Sequence, residues 1–113
     1  MSDKELLEMA AKAAGLKAKW FKVKKWKEYG NSRMLIGYHD VFGTHHSRPW
    51  DPLSNDGEAL RLAVAVGVFD SIMSYGKFLS WLEDAQEVID DGTAAFRRAI
   101  TCYAAEIGKQ NPA

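Results

Sequence analysis

The sequence predicts a single α+β domain, and three observations predict it. Segments near both ends and one in the middle carry helix caps followed by apolar residues at helical spacing. Between the first two lies a Gly-Asn turn, flanked by runs that read as strands. A length of 113 residues is the size of one domain. Residues 1–110 are assigned to that domain and 111–113 to a flexible tail.

The first helix is expected over residues 2–14. Ser2 and Glu5 form a capping box, and Asp3 adds negative charge to the first turn. Leu6, Ala10, Ala13 and Ala14 make a narrow stripe whose small side chains suit close approach to another element. Gly15 ends it. A hairpin follows over 17–42, turning at Tyr29-Gly30-Asn31-Ser32. On its first arm Trp20, Lys22, Lys24 and Trp26 share one face, with Lys19, Phe21, Val23 and Lys25 on the other. On the return arm strict alternation puts Met34, Ile36 and Tyr38 together, and Leu35, Gly37 and His39 opposite. Residues 43–54 read as a loop. Within it Pro49 and Pro52 hold Arg48 and Asp51 out of helix, and Trp50 is expected to fold back as an apolar plug.

Ser54 or Asn55 then caps a helix over 55–66, with Glu58 completing a capping box and Gly67 as its C′ residue. Residues 68–82 fit two readings. One is a hairpin turning at Tyr75-Gly76, and the other is a helix through Phe69, Ile72 and Met73, against which Gly76 weighs. The last helix is expected over 93–108. Phe96, Ala99, Ile100, Tyr103, Ala104 and Ile107 form its apolar face, Arg97 and Arg98 point away, and Gly108 stops it.

Composition excludes more than it assigns. The 15 Lys and Arg balance 15 Asp and Glu, so the chain as a whole has no basic field to gather nucleic acid or anionic lipid. Cys102 is the only cysteine, which rules out an internal disulfide and suits a reducing compartment. It reads as a small buried hydrophobe. No apolar run approaches the roughly 18–20 residues of a membrane span, and the start lacks a signal-peptide pattern. There is no phosphate-binding glycine loop, nucleophile elbow or His-Glu-x-x-His motif, so the sequence gives little reason to expect an enzyme, and no cofactor is assigned.

Two clusters carry possible chemistry. His39, His45 and His46 fall within eight residues, with Asp40 and Asp51 nearby. Imidazole and carboxylate are zinc ligands, but this spacing matches no ligand signature. The Lys17–Lys27 segment interleaves six lysines with Trp20, Phe21, Val23 and Trp26. Lysines for phosphate and rings for bases are what a single-stranded nucleic-acid platform needs. The competing reading is a half-buried strand whose lysines guard its edge.

The Trp50-Asp51-Pro52-Leu53 turn, the run from Asp56 to Ala63, and the blocks Phe96–Ile100 and Ala104–Gly108 together resemble the phage ABA sandwich domain, a family of small phage and prophage proteins. The N-terminal run Asp3–Gly15 fits the same pattern. Asp51, Phe96 and the lysine-rich hairpin depart from it. The resemblance implies helices packed on an antiparallel sheet and turns residues 68–82 towards strands. The expected fold is then about four strands and three helices in the order α-β-β-α-β-β-α, with the alanine-rich first and last helices side by side.

The resemblance also implies a phage-encoded accessory protein of the host bacterial cytoplasm. It would act by binding a host protein such as a component of bacterial immunity. The expected binding surface is Trp20, Lys22, Lys24, Trp26, His45, His46 and Arg48. Alternatives are a nucleic-acid module built on the 17–27 arm, and a small-ligand sponge or metal-dependent enzyme around His39, His45 and His46. A second copy of the chain is a further expected partner; a membrane is not.

Overall fold

The computed structural model describes residues 1–110; the tail expected over 111–113 lies outside the described residues. Seven elements follow one another: α1 (Asp3–Ala13), β1 (Lys19–Tyr29), β2 (Ser32–His45), β3 (Arg48–Pro49), α2 (Asp56–Ala65), α3 (Ile72–Val88) and α4 (Gly92–Gln110). The chain is therefore α+β, but the expected count and order are overturned. Among the described residues three strands and four helices run α-β-β-β-α-α-α. The chain divides into two compact units, one helical (1–17 and 51–113) and one of strands (18–50).

In the helical unit α4 is central and packs against α1, α3 and α2. Its burial matches that position, since Ala95, Ala99, Ile100, Thr101, Tyr103, Ala104, Ala105 and Gly108 are all buried. A helix buried on several sides cannot keep one apolar stripe. Phe96 and Ile107, expected on the buried face, are each 37% exposed. The alanine-rich first and last helices do pack together. Gly108 does not stop α4. It lies inside the helix, where a Cβ would overlap the Met9 carbonyl of α1. Arg97 does not point away either. Its Nε donates to the Leu53 carbonyl at 2.9 Å and its Nη1 to Asp56 Oδ1 at 2.6 Å, tying α4 to the start of α2. Arg98 reaches Asp3 of α1 at 2.9 Å.

The N-caps fall where the sequence puts them, but the box at Asn55 stays open: its N–H donates to the Asp51 carbonyl at 3.0 Å, and Glu58 pairs with Arg61 at 3.2 Å. The Ser2 side chain accepts from Glu5 N, and that of Asn55 from Glu58 N at 2.9 Å, which selects Asn55 over Ser54 as the cap of α2. Asp51 shapes the turn ahead of it, accepting from Leu53 N at 3.1 Å and from Ser54 Oγ at 2.6 Å. Asp91 does the same for α4. Hydrogen bonds from the Thr93 hydroxyl and from the backbone N–H groups of Ala94 and Thr93 hold its carboxyl below the usual range.

The main departure is at residues 68–82, which are not a hairpin. Ser71 caps α3 by accepting from Ser74 N at 3.0 Å, and the helix runs on for 17 residues through Gly76. Only Phe78 and Ala85 of α3 are fully buried, with Trp81 and Leu82 half-buried between them. That narrow stripe of helical period begins only after the glycine. Upstream, Ile72 is 92% and Met73 75% exposed, so the early apolar residues obscure the period.

The strand unit is a three-stranded antiparallel sheet in the order β1-β2-β3. β1 and β2 pair from Tyr29↔Ser32 at the turn to Lys19↔Gly43. The expected loop over 43–54 is shorter than predicted. β2 continues to His45, and Arg48–Pro49 return as β3 against Gly43 and His45. Lys25 faces Gly37 and Trp26 faces Leu35, leaving Ile36 as an extra residue on β2. Gly37, at φ 148°, accommodates this β-bulge. The bulge reverses the expected alternation on β2. Tyr38 now shares a face with Leu35, and Met34 shares one with His39.

Candidate nucleic-acid interface

The β1–β2 ribbon brings together four of the residues singled out in the sequence. Trp20, Lys22, Lys24 and Trp26 lie on one face of β1, opposite Phe42, Asp40, Tyr38 and Leu35. The base of the ribbon is an aromatic cluster. Trp20 and Phe42 have ring centroids 4.9 Å apart, and Trp50 meets Phe42 edge-on at 6.1 Å. The Trp50 N–H donates to the Phe42 carbonyl at 2.7 Å. Trp50 is 8% exposed, so it is the plug that the Pro turn suggests.

Beyond this base the ribbon is open on both faces. From Lys24 to Tyr38 every residue except Gly37 is exposed. Trp26 is 40% and Tyr38 57% exposed. A bare two-stranded hairpin is marginal in water, and large rings left in solvent on one are unusual without a partner. The cations are arranged around those rings. Arg33 lies 4.4 Å from the centre of the Trp26 ring and Lys24 lies 6.0 Å from it. On the opposite face Lys27 sits 5.4 Å from the Tyr29 ring and Lys19 5.2 Å from that of Phe21. Such contacts keep cationic heads beside aromatic planes. Lys22 pairs with Asp40 across the strands at 3.6 Å.

Charge is the property that whole-chain composition conceals. Residues 18–50 hold seven Lys and Arg against two Asp and Glu, a net charge of +5; the rest of the chain carries −5. The zero balance is therefore a sum of two opposed units. The basic one also exposes the rings of Trp26, Tyr29 and Tyr38.

His45, His46 and Arg48 lie at the other end of the sheet, around the β2–β3 turn. The two imidazoles are 4.0 Å apart, and His45 Nδ1 bonds the Ser47 hydroxyl at 2.8 Å. Thr44, His45, Ser47 and Arg48 line an open recess of about 440 Å³. His39 is not part of it. It faces Val23, six residues or about 20 Å along the strand. Among the described residues no group of three or more His, Cys, Asp or Glu side chains is placed to hold a metal ion.

The helical unit has its own cleft of about 440 Å³ between α3 and α4, lined by Trp81, Tyr103 and Ile107 with Lys77, Asp84 and Glu106. Among the described residues every buried side-chain nitrogen and oxygen has a hydrogen-bond partner, so no orphaned polar group points to a ligand there. Among the described residues no helix is long and apolar enough to cross a membrane.

Comparison with known proteins found no matching family model, curated protein or solved structure. Sequence reasoning missed Arg33 and Tyr38 as members of the exposed ribbon. A charge count by segment instead of by chain would have drawn attention to Arg33. Tyr38 joins the Trp26 face only because of the bulge, which alternation cannot foresee.

Proposed function

We propose that this is a binding protein whose working element is the β1–β2 ribbon and whose partner is nucleic acid. The observation that carries the reading is the concentration of a +5 charge on the strand unit, whose ribbon leaves aromatic rings in solvent. Zero net charge argued against a polyanionic partner, and the segregation of charge removes that objection. Lysines on both faces can neutralise phosphates while Trp26, Tyr29 and Tyr38 offer planes for stacking. A two-stranded ribbon also has the width of the duplex major groove.

Fluorescence anisotropy of labelled single- and double-stranded oligonucleotides, measured over a salt series, tests this. With five or more lysines and arginines engaged, log K should fall against log salt with a slope of roughly −3 to −5, the steeper for duplex. Changing Lys24, Lys25 and Lys27 together to Glu should weaken binding at every salt concentration and reduce the slope by about 2–3. Absence of binding at low salt to either form, or binding indifferent to the triple change, refutes the proposal.

A second reading keeps the ribbon and changes the partner. Met34, Leu35 and Ile36 are 51%, 39% and 48% exposed near the turn, and apolar residues there suit a protein surface. The resemblance to phage ABA sandwich proteins supplies the setting, a phage accessory protein meeting a host factor. In that case Leu35→Glu removes capture of a specific host protein, and oligonucleotides bind weakly or not at all.

A further inference from the structure

The helical unit leaves a second, uncharged surface uncovered. It runs from Leu60 and Val64 on α2, across Phe96 of α4, to Tyr75 and Ile72 at the start of α3, with Phe69 beside them. Its exposed rings share one buried anchor. Phe69 and Tyr75 lie 6.3 Å apart, and the buried ring of Phe78 lies 6.1 Å from Tyr75 and 5.3 Å from Phe96. Phe96 and Leu60 in turn line one recess of about 290 Å³ with Ala59. The exposures are high: Ile72 92%, Val64 65%, Leu60 56% and Phe69 50%. Summed over these residues with Tyr75 and Phe96, they amount to roughly 650 Å² of mostly apolar surface, above the few hundred square ångströms usual for a patch on a monomer.

We propose that this surface is the contact between two copies of the chain. Its area is about what each partner gives to a standard interface. The surface is also complementary to itself. It carries both a protruding side chain, Ile72, and an apolar recess beside Leu60 and Phe96. A two-fold axis can seat the one in the other twice, as an isologous contact requires.

Sedimentation velocity of the full chain at high micromolar concentration tests the proposal. The expected species has about 25 kDa, twice the 12.6 kDa of one chain. Ile72→Glu and Leu60→Glu alter exposed side chains, and each should weaken association by at least about a hundredfold with the helical circular dichroism retained. The lysine changes on the ribbon should leave the dimer intact. A wild-type chain that stays at 12.6 kDa overturns the proposal, including one that is monomeric in solution and collects on phosphatidylcholine vesicles. So does a dimer that survives both glutamates, or one lost on Leu35→Glu instead, which would place the contact on the ribbon.

Discussion

Gly108→Ala should destabilise the protein even though alanine is the better helix former. A Cβ at this position would overlap the Met9 carbonyl oxygen, and it would lie 2.8 Å from that carbonyl carbon and 3.3 Å from Ala13 N. All three atoms are backbone of α1, so no side chain can swing aside. Relief requires α1 to move off α4 by about 1 Å. A gap of that size forfeits up to half of the dispersion attraction at each contact it opens. The contacts at risk include those of Ala10 and Ala11, both buried in α1. Overpacking of this kind costs about 1–3 kcal/mol, whereas glycine to alanine in a helix returns at most about 1 kcal/mol. The net loss should be up to about 2 kcal/mol. With a urea m-value of about 1–2 kcal/mol/M, the midpoint of the helical circular dichroism transition should fall by up to about 1 M. Gly76→Ala is the control. Gly76 lies in α3 with nothing within 4 Å of an added Cβ, so the same substitution should raise stability by about 0.5–1 kcal/mol. If Gly108→Ala stabilises the protein as Gly76→Ala does, the close helix contact is refuted.

Two further outcomes follow from the helical unit. Arg97→Met keeps the aliphatic stem but removes the donors to the Leu53 carbonyl and Asp56, and it should cost about 1.5–3 kcal/mol in the same urea titration. Asp56 is 74% exposed, so its ion pair is the smaller part, and Asp56→Asn should cost well under 1 kcal/mol. Burial pushes the Cys102 thiol above its ordinary value of 9.0, so labelling by a thiol reagent should be slow in the folded protein and fast in urea. Because the folded value is the raised one, its contribution to stability is full below the unfolded value. It is lost as pH rises past that value towards the folded one. Cys102→Ala should flatten stability above about pH 9.

Local chemistry was legible in the sequence wherever one or two residues decide a structure. Ser2 and Asn55 cap the helices that they announce, Gly30-Asn31 turns the ribbon, and Trp50 is buried. Reading failed where a distant neighbour decides. Gly108 looks like a stop signal because glycine so often is one, but here it is the point where α1 crosses α4. Gly76 looks like a turn, yet α3 tolerates it because Phe78, Trp81, Leu82 and Ala85 supply the burial. The helix begins with solvent-exposed Ile72 and Met73, which makes its upstream half look like a strand. Arg97 looked outward by helical spacing, but the carbonyl it serves is 44 residues away. In the candidate site, the grouping of Trp20, Lys22, Lys24 and Trp26 followed from alternation alone. Their lysine-rich surroundings were legible too; the opposed charge of the two units, hidden in a zero total, was not.

The bulge at Ile36 gives the ribbon an unusual tolerance. In a regular strand, loss of one residue puts every side chain beyond it on the wrong face. Here Lys25 already faces Gly37 and Trp26 already faces Leu35, so a chain without Ile36 would keep every cross-strand partner it has now. Such a change would remove only a bend. The direction in which the tip is aimed can thus vary among related sequences by single insertions and deletions at this point, with no need to rebuild the rings and lysines on either side.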